Sequence, residues 1–214
     1  MNKDIVIVLP IEIKKREFES RLVIAYELAK NGIPSIIGDR GGCRRAVNLF
    51  GKVIYIAKSL SYDLKSIFQA VKEKEGKVFI LFEEGGYVGR QKDKYDEIKT
   101  YYPVDMMPYV DKVFVYGNSY QKLLTENFNY FNVENTFIAG NSRFDLHKPK
   151  YNKFYEDSIN TIKSKYGKYI LFNGNFVLGN HYLGTAYFSD EISRTKELSP
   201  EHKEVYPGKI QKSK

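Results

Sequence analysis

From residue 4 to about residue 140, short apolar runs alternate with stretches whose apolar residues recur at helical spacing. Residues 5–9 form a continuous apolar run, the pattern of a strand covered on both faces. Over 16–31, Phe18, Leu22, Ala25, Tyr26 and Ala29 fall on one side of a helix, which Asn31-Gly32 should end because glycine accepts the left-handed cap conformation. A strand over 33–38, a short helix over 41–50 and a strand over 52–57 follow. Ser59 or Ser61 is placed to cap the next helix, whose stripe is Leu60, Leu64, Ile67, Phe68 and Val71 and whose end is Gly76. Strands are predicted over 77–82, 111–116 and 136–139. A polar stretch with a short helix is expected over 87–102. A helix capped by Asn118 carries Tyr120, Leu123, Leu124 and Phe128.

Strands and helices alternating through short links predict an α/β domain with a Rossmann-like parallel sheet and helices on both faces. The pattern changes after Gly140. Residues 141–153 are polar, 154–166 read as a helix, and Tyr169-Ile170-Leu171-Phe172 reads as one new strand. Beyond Asn180 the periodicity fades into a charged tail. The expected organisation is a domain over 1–148, a linker helix and first strand of an incomplete second domain over 149–180, and a tail over 181–214.

Composition narrows the function classes. The net charge of +8 is spread along the chain and interleaved with acids, with no block of five basic residues, so nucleic acid is not an expected partner. No apolar run is long enough to cross a bilayer, and the first residues lack a signal-peptide pattern. The single cysteine, Cys43, allows no internal disulfide. A cytoplasmic location is therefore expected, with the inner face of the membrane as a peripheral site for so basic a chain. His147, His181 and His202 share no ligand spacing with acids or Cys43, so no metal site is expected.

The first predicted strand is followed by Pro10-Ile11-Glu12, without the glycines a dinucleotide pyrophosphate needs, which disfavours a nicotinamide enzyme. Gly38-Asp39-Arg40-Gly41-Gly42 opens a helix, where backbone amides and Arg40, Arg44 and Arg45 could meet an anion; a plain strand-to-helix turn is the other reading. Glu83-Glu84-Gly85-Gly86 follows the fourth strand. With strand order 3-2-1-4-5 this pair would face a crevice beside the first strand, opposite Pro10 and Glu12. One of the two carboxylates would then serve as general base, with the glycines letting substrate approach. A solvated acidic turn is the alternative. Asn141 and Arg143 after the last strand suit either a turn or a ligand contact.

Four segments in this order resemble the surface carbohydrate biosynthesis family, itself similar to two-domain GT-B glycosyltransferases. They are Leu9-Pro10-Ile11-Glu12 through Arg16-Glu17 to Arg21-Leu22; Gly38-Asp39-Arg40; Glu83-Glu84-Gly85; and Gly140-Asn141-Ser142-Arg143-Phe144-Asp145. Ser142 stands where the family usually has proline. The resemblance implies the acceptor-binding N-terminal half of a transferase that moves a sugar from a nucleotide-sugar donor to a glycan or lipid-linked acceptor in bacterial surface polysaccharide synthesis. Together with the placement argued above, the expected catalytic residues are Glu83 and Glu84, with Pro10, Glu12, Arg16, Asp39, Arg40, Gly85, Gly86, Asn141 and Arg143 at the substrate. The donor domain is not seen within the chain, so no cofactor is expected in it. A non-catalytic acceptor-binding or scaffold domain, and a polyol-phosphate transferase of related architecture, are the alternatives.

Overall fold

A computed structural model of the chain describes residues 5–83, 98, 99 and 101–172. It separates into two units, Met1–Glu156 and Asp157–Lys214. The first holds a six-stranded, all-parallel sheet: β1 (Val6–Pro10), β2 (Ser35–Gly38), β3 (Val53–Ala57), β4 (Lys77–Leu81), β5 (Lys112–Val115) and β6 (Thr136–Ile138). Its helices are α1 (Lys14–Lys30), α2 (Arg40–Leu49), α3 (Lys65–Glu73), α4 (Asn118–Asn127) and the single turn α5 (Ser142–Asp145). The expected Rossmann-like α/β class is what the chain adopts.

The strand order is β2-β1-β3-β4-β5-β6, not the expected 3-2-1-4-5. The β2–α2–β3 crossover passes over β1 and lays β3 on its other edge, so β4 sits one strand away from β1. Apolar runs report burial and say nothing about which strand lies beside which. Right-handed crossovers place α1 on one face and α2, α3 and α4 on the other. The main core fills the second face, where Val8, Tyr55, Ile80 and Val113 from the strands meet Val47, Phe68, Val71 and Leu124 from the helices. Ile7 and Leu9, the alternate positions of β1, are buried outside that cluster, as period-two alternation requires.

Several helix expectations need correction. The buried residues of α1 are Glu17, Ser20 and Arg21, at i, i+3 and i+4, while Leu22 and Tyr26 of the predicted apolar stripe are exposed. The helix is turned so that its charged residues meet partners inside the protein. At the end of α3 the left-handed residue is Glu75, at φ 55°, not Gly76. Gly76 is required for space instead, since a Cβ there would lie 2.6 Å from the Val53 carbonyl oxygen. Gly32 does close α1 as expected, at φ 69°. Neither Ser61 nor Asn118 caps through its side chain; a 3-10 turn, Tyr62–Leu64, precedes α3, and Gly117 precedes α4.

After α5 a 3-10 stretch, Pro149–Tyr155, stays with the first unit, where the Tyr155 hydroxyl donates to Glu19 Oε2 at 2.6 Å. The first unit therefore ends at Glu156, beyond the predicted boundary at 148. Helix α6 (Glu156–Tyr166) leads into the second unit. Residues 169–172 do not form the expected strand, and Ile170 is 98% exposed. A strand needs a neighbour to take its backbone hydrogen bonds, and none pairs with this run among the described residues.

Candidate functional site

In an open parallel sheet the carboxyl ends of the strands gather on one edge, and ligands settle where the strand order reverses. Here that reversal lies between β1 and β3. Residues that leave these two strands, and the start of α2, meet there.

Glu12 lies two residues past β1, Lys58 directly follows β3, Arg40 is the first residue of α2, and Asp63 lies in the turn before α3. Arg40 bridges the carboxylates of Glu12 and Asp63. Lys58 bridges Glu12 and Glu17, its Nζ lying 3.1 Å from Glu17 Oε1. Arg16 adds a contact of 2.9 Å to the same Glu17 oxygen. The other oxygen of Glu17 accepts from the backbone N–H groups of Glu12, at 2.7 Å, and Ile13, at 3.4 Å. One buried carboxylate thus closes the start of α1 and shapes the turn that presents Glu12.

The electrostatics follow from these contacts. Burial pushes the Glu17 carboxyl up, but the Glu12 N–H, Arg16 and Lys58 outweigh it and hold it at about 2. Glu12 is likewise raised by burial and brought below the ordinary carboxylate range by Lys58 and Arg40. Asp63 is lowered by the Ser61 hydroxyl, against burial, and by Arg40. Arg40 is raised by Glu12 and, against burial, by Asp63. Burial pulls Lys58 down, but Glu12 and Glu17 raise it above its ordinary value. All of these groups are charged at neutral pH. Arg40 and Asp63 remain about half exposed, at 45% and 50%, so the crevice is open to solvent.

Asp39 acts as helix cap: its Oδ1 accepts from the Gly42 N–H at 2.5 Å. Pro10 ends β1, in register with Gly38 of β2, and the Ile11 N–H donates to the Gly38 carbonyl at 2.8 Å. Cys43 is on the buried face of α2, where burial and Asp39 push its thiol up to about 11; it is a packing residue.

Glu83 sits apart from this crevice. Its side chain is 1% exposed and forms an ion pair of 2.9 Å with Arg21, which is fully buried on α1. The Ser142 hydroxyl donates to the same oxygen at 3.0 Å, and Arg143 Nη2 and Asn141 Nδ2 donate to the Glu83 carbonyl at 3.1 and 3.4 Å. Asn141 also caps α5, accepting from the Arg143 N–H at 3.0 Å. Glu83 Oε2 and Arg21 Nε and Nη2 find no partner. The sequence placed Glu83 facing a crevice as a general base beside a second carboxylate. In the fold it is enclosed by Arg21 and Ser142 and joins β4, α1 and the turn after β6. Glu84, Gly85 and Gly86 lie outside the described residues.

The expected residues therefore divide in two. Glu12, Arg16 and Arg40 share the crevice, with Pro10 and Asp39 shaping its walls; Glu83, Asn141 and Arg143 share the buried joint. Helix α1 serves both, with Glu17 and Arg21 one turn apart on the same face. Sequence reasoning missed Glu17, Arg21, Lys58 and Asp63. Two signals pointed to the first three: charged residues at i and i+4 in line with Ile24 and Leu28, and a lysine directly after an apolar strand; nothing in the sequence singled out Asp63. Among the described residues no group of histidine, cysteine or acidic side chains could hold a metal ion, and no helix is long and apolar enough to cross a membrane.

No protein-family model matches the chain, and no curated protein matches it.

Proposed function

We propose that this chain supplies the acceptor-binding half of a sugar-transfer site, with a glycan or lipid-linked saccharide seated at the carboxyl edge of the sheet. The observation that carries this reading is the open crevice at the strand reversal, lined by Glu12, Arg40, Lys58 and Asp63. Ligands of such sheets bind at that point, and fixed charged groups there can both donate to and accept from hydroxyls. Its place in the chain also agrees with the segments that resemble GT-B enzymes.

In the reaction so proposed, an acceptor hydroxyl oxygen bonds to the anomeric carbon of a nucleotide sugar. The bond from that carbon to the phosphate oxygen breaks, and the hydroxyl proton leaves to a carboxylate. Glu12 takes the acceptor-facing role, because it reaches solvent at the strand reversal whereas Glu83 is enclosed. Lys58 and Arg40 fix its orientation. The donor would be bound by a second domain of the kind the resemblance implies, at a membrane surface if the acceptor is lipid-linked.

Saturation-transfer NMR on the full chain with a panel of methyl glycosides and disaccharides tests the reading. Signal transfer to at least one saccharide, much reduced by Arg40→Ala and by Glu12→Gln in folded protein, is expected. No transfer to any saccharide, or transfer indifferent to both substitutions, would overturn it.

A further inference from the structure

We infer that the outward side of α1 is a homodimer interface, on which a second copy of this chain packs its own α1 across a two-fold axis at Leu22.

Helix α1 buries Glu17, Ser20 and Arg21, and this turns its apolar line outward. Lys14, Phe18, Leu22, Tyr26 and Lys30 follow one another at intervals of four, so they form a single ridge along the helix. Phe18 is half-buried, while Leu22 and Tyr26 are 49% and 61% exposed. One exposed leucine is ordinary on a protein surface, but successive apolar positions of one ridge make a continuous strip. Lysines close the strip at both ends. Lys14 Nζ lies 5.7 Å from the Phe18 ring centre, and Lys30 Nζ lies 5.6 Å from that of Tyr26. The ridge is on the side of α1 away from Glu17, which serves the crevice, so the dimer does not depend on the acceptor reading.

A second copy fits this strip because the ridge has the same order in both directions: lysine, aromatic, leucine, aromatic, lysine. A two-fold axis through Leu22 makes it self-complementary, as an isologous interface requires. Leu22 then meets the partner's Leu22, and Phe18 meets the partner's Tyr26. Ala25 and Ala29, in the adjacent row, leave a shallow groove beside the ridge in which the partner's ridge can seat. Ridges made of every fourth residue interdigitate with the helix axes crossing at about 50°. Eight residues of helical rise place each lysine about 12 Å from the crossing, so Lys14 and the partner's Lys30 diverge sideways by about 10 Å. With the separation of the two axes added, that distance exceeds the screening length of about 8 Å in physiological salt, and the like charges do not oppose the contact. An anionic bilayer suits the strip less well. Glu19 and Glu27 flank it on the same helix, Glu19 held by the Tyr155 hydroxyl at 2.6 Å, and both would lie among the headgroup charges.

Sedimentation velocity of the full chain from micromolar to millimolar concentration, with circular dichroism as the check on folding, tests the inference. The natural chain should pass from monomer to dimer within that range. Leu22→Glu and Leu22→Lys, at a half-exposed position outside the core, should each stay folded and need at least tenfold higher concentration to dimerise. An equimolar mixture of these two variants should associate again, because residue 22 meets itself across the axis. Tyr26→Ser should weaken the dimer at least tenfold on its own. A natural chain that stays monomeric throughout, a dimer indifferent to these substitutions, or a mixture that fails to associate would each overturn the inference. Binding of the monomer to phosphatidylglycerol vesicles, lost in Leu22→Glu and with no dimer at any concentration, would overturn it in favour of a bilayer.

Discussion

Replacing Glu17 by glutamine should remove a large, pH-dependent part of the stability of this fold. Glu17 is 1% exposed on its side chain and accepts contacts from Arg16, Lys58 and two backbone N–H groups. These hold its carboxyl at about 2 against an ordinary 4.5. At about 1.4 kcal/mol for each tenfold change in proton affinity, the carboxylate contributes roughly 3 kcal/mol at neutral pH. The folded value is depressed, so this stability is fully present above pH 4.5 and is lost as the pH falls towards 2. Glutamine keeps the shape and one acceptor but loses the charge that Lys58 and Arg16 meet. Urea unfolding followed by far-ultraviolet circular dichroism, at pH 7, 4.5, 3 and 2, measures the effect. The variant should be less stable by about 3 kcal/mol at pH 7 and pH 4.5, and the gap should close towards pH 2. A gap of the same size at every pH would mean that packing rather than charge holds Glu17, and no gap at all would remove it as the organiser of the turn after β1.

Three further outcomes follow from the same packing and ion pairs. Arg21→Met should cost about 3–5 kcal/mol by leaving Glu83 buried and unpaired, and Arg21→Met with Glu83→Leu should recover most of it, because the pair already leaves three polar atoms without partners; a double-mutant cycle of urea midpoints checks this. Gly76→Ala should cost about 1–3 kcal/mol by forcing a methyl onto the Val53 carbonyl, whereas Glu75→Gly should stabilise by roughly 0.5–1 kcal/mol by relieving a left-handed glutamate; thermal melts of the two variants should move in opposite directions. Cys43, with its thiol pushed up to about 11, should react with a thiol-specific reagent at pH 7 only at the rate at which the protein opens, and fast labelling of folded protein would contradict its placement.

The sheet was legible because buried parallel strands are short apolar runs: the runs around Val8, Tyr55, Ile80 and Val113 announce themselves without neighbours. The helix stripe of Tyr120, Leu123, Leu124 and Phe128 was legible for the same reason, and all four are buried. What the sequence hid was anything decided between elements. Helix α1 could be turned either way by its pattern, and the choice that buries Glu17 and Arg21 depends on Lys58 and Glu83, residues far along the chain. The strand order depended on which edge of β1 the β2–α2–β3 crossover reached, and that moved the ligand crevice from β4 to β3. Glu83 then lost its solvent-facing place, and Lys58, largely covered by Glu12 and Glu17, took the position beside β1. Pro10, Glu12, Arg16, Asp39 and Arg40 still come together, because the loops that follow β1 and β2 meet at the carboxyl edge in either order. Arg143 and Asn141 converge on the Glu83 carbonyl.

The central claim is that a saccharide sits at the carboxyl edge of the sheet, between β1 and β3. Photo-crosslinking of the full chain with a diazirine-bearing methyl glycoside, followed by peptide mass spectrometry, locates the ligand directly. The expected result is label in the peptides that contain Glu12, Arg40 and Lys58, competed away by unlabelled glycoside and lost in Glu12→Gln. Competable label at the opposite edge of the sheet, around Lys52, Lys72 and Lys112, with none at Glu12, Arg40 or Lys58, would contradict it.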